Sequence, residues 1–177
     1  MRTIITAALA AGTLTLGACG STMDTGAPVA GGRTAAASLR TSAGADAGRA
    51  TAAEVAGGIR FTADVTGLPP GTHGIHAHTV GACDAPDFTT AGPHWNPMMM
   101  KHGTMNPQGP HKGDLPNLIV GADGRGTIAA TIPGATLDGL LDTDGGAMVV
   151  HAAADDLMTD PSGNSGGRIA CGVFQAG

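Results

Sequence analysis

The sequence predicts an all-β domain, an antiparallel sandwich or barrel with two long loops. Three observations predict it. Short runs of alternating or β-rich residues recur along the chain and are separated by turn residues. The composition holds 30 Gly and 11 Pro with only 13% charged residues, which suits short strands joined by many turns. No helical heptad, internal repeat or membrane-spanning run follows residue 18. With one Trp, three Phe and no Tyr, the core must be built from Val, Ile, Leu, Ala and Met.

The strands follow in order. TAAASLR (34–40), ATAAEVA (50–56) and IRFTADVTG (59–67) alternate, the last most clearly: Ile59, Phe61, Ala63 and Val65 share one face. GLPPG (67–71) is a turn, and HGIHAHTVG (73–81) reads as one strand. NLIVGADGRGTIAATIP (117–133) reads as strand, Asp-Gly turn, strand. AMVVHAAA (147–154) and RIACGVF (168–174) complete a set of seven or eight strands. Helix is limited to a turn or two in the loops. Residues 82–117 have no period and are dense in Gly, Pro, Asn and His; a structureless stretch of that length is usually functional or cross-linked. A second loop covers 155–167.

The N-terminus reads as an address. Arg2 precedes the apolar run IITAALAAGTLTL (4–16), shorter than the roughly 20 residues that span a bilayer. LGAC (16–19) resembles the bacterial lipobox, in which the cysteine is lipidated and becomes the new N-terminus. An ordinary signal peptide cut after Ala18 would instead leave Cys19 a free thiol. The lipobox reading gives a signal peptide over 1–18, lipidated Cys19 with a small polar tether over 19–33, and a folded domain over 34–177. It places the chain in the periplasm or cell envelope, held to a membrane by its lipid alone, and leaves Cys83 and Cys171 as a pair. The net charge of −5 argues against a nucleic-acid binder, which needs a basic face.

Six of the seven histidines fall between residues 73 and 111, the pattern of a metal site. His76 and His78, two apart in a strand, point to the same side. His151 lies in another strand, and a loop-borne histidine would complete a nitrogen-rich, roughly planar set suited to copper(II). His94, His102, His111 and Asp114 lie along one loop. Three imidazoles and a carboxylate can close a tetrahedral zinc site and order a loop without a core of its own.

The strings HGIHAH (73–78), AGPHWNP (91–97), KHG (101–103), HKGDLPN (111–117), VVHAAADD (149–156) and GNSGGRIACGV (163–173) together resemble the copper–zinc superoxide dismutase family, and they occur in its order. The resemblance implies a Greek-key sandwich or flattened barrel of about eight antiparallel strands, with one copper and one zinc per subunit. It implies copper on His76, His78, His94 and His151, and zinc on His94, His102, His111 and Asp114, with His94 bridging. Asp155 would link copper-ligand and zinc-ligand imidazoles, Cys83 and Cys171 would form a disulfide, and Arg168 would stand at the active site. Closing a loop of about 88 residues, that bond stabilises by at most about 4.6 kcal/mol in the chain-entropy model. The implied substrate is the superoxide anion, disproportionated to oxygen and hydrogen peroxide by Cu(II)/Cu(I) cycling, with Arg168 attracting the anion and His94 acting in catalysis as a proton carrier. His73 matches a structural position.

Several residues stand outside that pattern. Segment 84–93 (DAPDFTTAGP) departs from the family's disulfide loop, so a homodimer is not assumed. Lys101 and Lys112 read as solvated charge, with a steering role as the weaker alternative, and Asp156 and Asp160 as solvated or loop-capping groups. Met98, Met99, Met100 and Met105 lie beside the zinc-loop ligands; packing filler is the favoured reading, copper acquisition the alternative. A non-catalytic copper-binding lipoprotein would be expected to lack a copper ligand or the arginine, and a zinc-only sandwich would lack the copper histidines. None is missing.

Overall fold

The computed structural model describes residues 29–177. The expected signal peptide, Cys19 and most of the tether lie outside the described residues. Among the described residues there are ten strands: β1 (Thr34–Thr41), β2 (Asp46–Val55), β3 (Gly58–Val65), β4 (Gly71–His73), β5 (Ile75–His78), β6 (Leu118–Val120), β7 (Gly126–Pro133), β8 (Ala147–His151), β9 (Arg168–Val173) and β10 (Gln175–Ala176). Among the described residues the one α-helix, α1 (Leu137–Leu140), is capped by Thr136, whose hydroxyl accepts from Gly139 N, and a single 3-10 turn covers Thr89–Ala91.

An eight-stranded antiparallel sheet runs β5-β8-β9-β1-β2-β3-β7, with β10 also on β1. From β3 the chain crosses to the far end of this order to make β5. It returns through residues 79–117 to β7 beside β3, then crosses again to β8 beside β5. These long returns are the Greek-key connections.

The strand expected over 73–81 is in fact two short pieces. At Gly74 the chain changes partner: β4 pairs with β6, whereas β5 pairs with β8. The change is a barrel corner, where a strand passes from one sheet to the other. Because β4 runs into β5 and β6 turns into β7, the β4–β6 pair links the two ends of the curled sheet.

Alternation sets the interior. Ile59, Phe61, Ala63 and Val65 are all buried, as the pattern of β3 predicts, and face Ala35, Ala37 and Leu39 of β1 and Ala50 and Ala52 of β2. The many alanines leave room for a few large groups: Phe61 and Phe174 meet at 6.0 Å between ring centroids, and Trp95 closes the core from the loop side. Met148 and Val150 of β8 join this core. Ala147 and Val149, on the other face of β8, pack instead with Phe88, Ala91 and the Cys83–Cys171 pair. His151 is two residues beyond Val149 and continues that outer face. The cysteines are bonded to each other, fastening the loop after β5 to β9.

Candidate metal centre

β5 carries the first two site histidines. Ile75 and Ala77 turn into the core, so His76 and His78 share the opposite face, opposite Val149 and Ala147 of β8. The free edge of β5 is occupied by loop backbone. Ala77 N donates to Gly113 O (2.9 Å), Trp95 N to Ala77 O (2.8 Å) and Thr79 N to Pro93 O (3.0 Å). A Cβ on Gly113 would overlap the Ala77 carbonyl, so glycine permits this close approach. His94 and Asp114, next to the paired residues, are thereby brought against His78 and His76. A loop without periodicity thus gains its register from three or four backbone bonds.

His76, His78, His94 and His151 converge, each offering a nitrogen within 4.8 Å of the others. The ring of His94 stacks on that of His76 at 3.9 Å, and His76 and His151 meet edge-on at 4.8 Å. One nitrogen of three of these rings is already committed. His76 Nε2 donates to Asp155 Oδ2 (2.7 Å), His78 Nδ1 to Gly92 O (2.8 Å) and His151 Nδ1 to Gly166 O (3.2 Å). These acceptors fix which nitrogen carries the proton. The nitrogens left over, His76 Nδ1, His78 Nε2, His94 Nε2 and His151 Nε2, are buried without any hydrogen-bond partner. A buried polar atom without a partner calls for a ligand; four imidazole nitrogens aimed at one point fit copper.

His94, His102, His111 and Asp114 form the second group. The Nδ1 atoms of His94, His102 and His111 lie 3.0, 3.0 and 3.2 Å from Asp114 Oδ1. Such separations are close to the edges of a tetrahedron whose bonds are about 2.0 Å, so this donor set fits zinc. Asp114 Oδ2 is held apart by Gly103 N and His111 N, each donating at 2.9 Å. Asp155 joins the two groups, accepting from His76 Nε2 on Oδ2 and from His102 Nε2 on Oδ1 (2.9 Å).

Electrostatics divides the two halves. Burial lowers His76, sets His78 well below the ordinary histidine range, and lowers His94 to about 4 and His151 to about 3. Burial also opposes protonation of His102, but its bonds to Asp114 and Asp155 outweigh this and raise it to about 9. Asp114 and Asp155 are both lowered: burial is outweighed by their imidazole and backbone donors.

Arg168 opens β9 and pairs with His151 across the ladder, which puts it beside the copper-type group. Its Nη1 and Nη2 donate to Phe88 O (2.6 Å) and Gly92 O (2.7 Å). Carbonyl partners fix the guanidinium, which makes no salt bridge among the described residues although Asp87 acts on it from a distance. A cavity of about 350 Å³ is bordered by Thr89, His94, His151, Ser162, Gly166 and Arg168. Lys101 is bound to Asp160 (2.9 Å) and Lys112 to Pro133 O (2.6 Å), so both are structural surface charges. Asp156 caps Met158 N and Thr159 N, and Asp160 also accepts from His102 N. His73 lies between Pro69 O and His151 O and belongs to neither metal group.

Asn117 has a role that the sequence did not suggest. Its Oδ1 accepts from Asp155 N and its Nδ2 donates to Asp155 O, both at 2.8 Å, so it clamps the backbone of the carboxylate that joins the two groups. The methionines also differ from expectation. Met98, Met99, Met100 and Met105 are exposed, so they do not fill the core.

The fold and site together define an all-β metalloprotein with adjoining copper-type and zinc-type ligand sets that share one histidine. Residues 47–174 match the family model for copper/zinc superoxide dismutase (SODC), and the chain belongs to that family. It is therefore by family an oxidoreductase, a superoxide dismutase that uses copper and zinc. It is 45% identical over 123 residues to superoxide dismutase-like protein YojM of Bacillus subtilis; the match spans 66% of this chain and 63% of that one. It is 40% identical over 148 residues to a Cu-Zn superoxide dismutase of Caulobacter vibrioides, across 80% of this chain and 85% of the relative. The crystal structure of a SOD-like protein from Bacillus subtilis superposes with a TM-score of 0.74 at 39% identity, covering 79% of this chain and 97% of that one.

Proposed function

We propose that this chain disproportionates superoxide at copper held by His76, His78, His94 and His151, beside zinc held by His94, His102, His111 and Asp114, while anchored through a lipid on Cys19 in the periplasm or cell envelope. The observation that carries the site assignment is the set of buried imidazole nitrogens without partners, aimed at one point beside a second closed donor set. Copper supplies the electron transfer when bound, taking an electron from one superoxide and giving it to another, while zinc supplies none.

The chain's own residues do the rest. Arg168 attracts and orients the anion at the mouth of the cavity; in a protein of net charge −5 such focusing has to be local. His94 Nε2, facing the copper side, is the atom that can hold a proton for the reduced product, and Asp114 steadies that ring through Nδ1. Asp155 and the carbonyls of Gly92 and Gly166 keep the other rings in one tautomer.

The test compares the superoxide-scavenging rate of the copper- and zinc-loaded protein with that of His151→Ala, with metal content measured in both. A fast rate that the substitution abolishes supports the assignment. A slow rate at full occupancy of both metals would leave copper binding without turnover. For the anchor, Cys19→Ser is expected to release the protein from the membrane fraction; unchanged fractionation refutes lipidation. Sedimentation of the released chain distinguishes a monomer from a homodimer.

A further inference from the structure

Five of the six methionines among the described residues sit on the surface of the two site loops: Met98, Met99, Met100, Met105 and Met158. The sixth, Met148, is in the core. Thioethers so placed lose the burial that usually accounts for methionine. Met99 is 91% exposed, Met105 65% and Met98 62%.

Met98, Met99 and Met100 share one turn, and Met105 and Met158 lie where the two site loops meet. Asn96 closes the 96–100 turn, bonding Met100 N and Met100 O with its side-chain amide. Met105 N donates to Leu157 O, and Asn106 Nδ2 to Met158 O, so the two loops meet there. Lys101 N donates to Gln108 O, joining the first turn to the second.

The first turn also leads somewhere. Met99 and Met100 border a groove of about 310 Å³ that includes Pro93, His94, His111 and Pro161. The cavity over His151 and Arg168 shares Pro93, His94 and Pro161 with it. The groove beside Met99 and Met100 therefore adjoins the cavity over the copper-type imidazoles. The one lysine along it, Lys101, is neutralised by Asp160.

We propose that this methionine rim is a Cu(I) capture site that feeds copper to the imidazole site along that groove. Thioether sulfur is a soft, neutral donor that selects Cu(I) over Cu(II) and over zinc. Transfer is ligand exchange: sulfur–copper bonds break as bonds form to the partnerless nitrogens of His76, His78, His94 and His151, and copper keeps its oxidation state. The inference rests on the assignment of those four histidines as the copper site.

The test uses the full zinc-loaded chain and Cu(I) supplied anaerobically as its bicinchoninate complex. The comparison is a variant with all five surface methionines changed to leucine, a volume-conserving change at exposed positions; a glutamine set is the alternative should leucine cause aggregation. The native chain is expected to take up at least one Cu(I) beyond the imidazole site, with sulfur scattering in its copper X-ray absorption spectrum. In the variant the extra copper and the sulfur signal should vanish, and Cu(I) should reach the imidazole site at least about tenfold more slowly. Loading from Cu(II) should be equal in both. Equal Cu(I) stoichiometry and loading rates, or a spectrum without sulfur, overturns the proposal. A zinc-loaded chain that holds no copper on the imidazoles from either oxidation state would instead refute the copper-site assignment.

Discussion

Replacing Asn117 with alanine tests whether the centre is held by a residue that touches neither metal group. Asn117 makes two 2.8 Å bonds to the Asp155 backbone, and the Asp155 carboxylate in turn orients His76 and His102. Two neutral hydrogen bonds contribute about 1 kcal/mol each, so the metal-free protein should lose about 2 kcal/mol. For a domain of this size that is a fall in Tm of about 4–8 °C. Loss of an outer partner typically costs about 10–100-fold in metal affinity, and because Asp155 reaches both groups, copper and zinc should weaken together. The assay is thermal unfolding of the metal-free protein with chelator-competition titrations of each metal. Asn106→Ala is the control, since Asn106 bridges the loops through Met158 O at the surface without contacting Asp155. A lower Tm with unchanged affinity for both metals would refute the view that Asn117 positions the ligands through Asp155.

Three further outcomes are expected. Arg168→Ala should lower the rate by about tenfold or more and weaken its dependence on salt while metal content stays normal; an unchanged rate at moderate salt excludes the focusing role. Gly163→Ala should disrupt the link between the two groups, because Gly163 has φ +62° and an added Cβ would overlap the Asp155 carboxylate and come within 2.7 Å of His102 Nε2; zinc affinity equal to that of the native chain refutes this. In the metal-free protein His102 is raised to about 9, so near pH 7 it is protonated and zinc must displace that proton. The stability this ion pairing adds is full below the unfolded histidine value of 6.5 and is lost as pH rises through about 9. Zinc affinity should therefore climb up to about tenfold per pH unit between about 7 and 9, and calorimetry in buffers of different ionisation enthalpy should show about one proton released on zinc binding and none at His102 on copper binding. A flat pH profile excludes a protonated His102.

Much of this candidate centre was legible because its residues stand out by type and local spacing, and the structure brings them together. His76 and His78 share a face by strand geometry alone, and the alternation of Ile59 to Val65 gave the buried side of β3 directly. Other features depend on partners far away in sequence. The break at Gly74 is invisible in HGIHAH, because it arises from a change of pairing partner, β6 before it and β8 after it. Asn117 looked like the end of a loop; its purpose appears only once Asp155, on the other site loop, comes within hydrogen-bonding distance. β10 is two residues long and owes its existence to the edge of β1. Helix α1 is four residues long, too few to show a period, and its Thr136 cap was not singled out in the sequence. The methionine reading turned on exposure, which composition does not carry.

The division of ligands between strands and loop gives assembly an order. His94, His102, His111 and Asp114 lie close together along the chain, so gathering them costs little loop-closure entropy. His76 and His151 meet only after β8 has returned across the barrel to pair with β5. Short-range contacts form faster than long-range ones. In any chain that emerges N-terminus first, the proposed zinc residues are all available while His151 has yet to appear. Zinc can thus act as an early fastening that holds His94 in place, and the copper pocket exists only when the barrel is finished. Copper on the four imidazoles, as distinct from copper on the surface methionines, would then report completed folding.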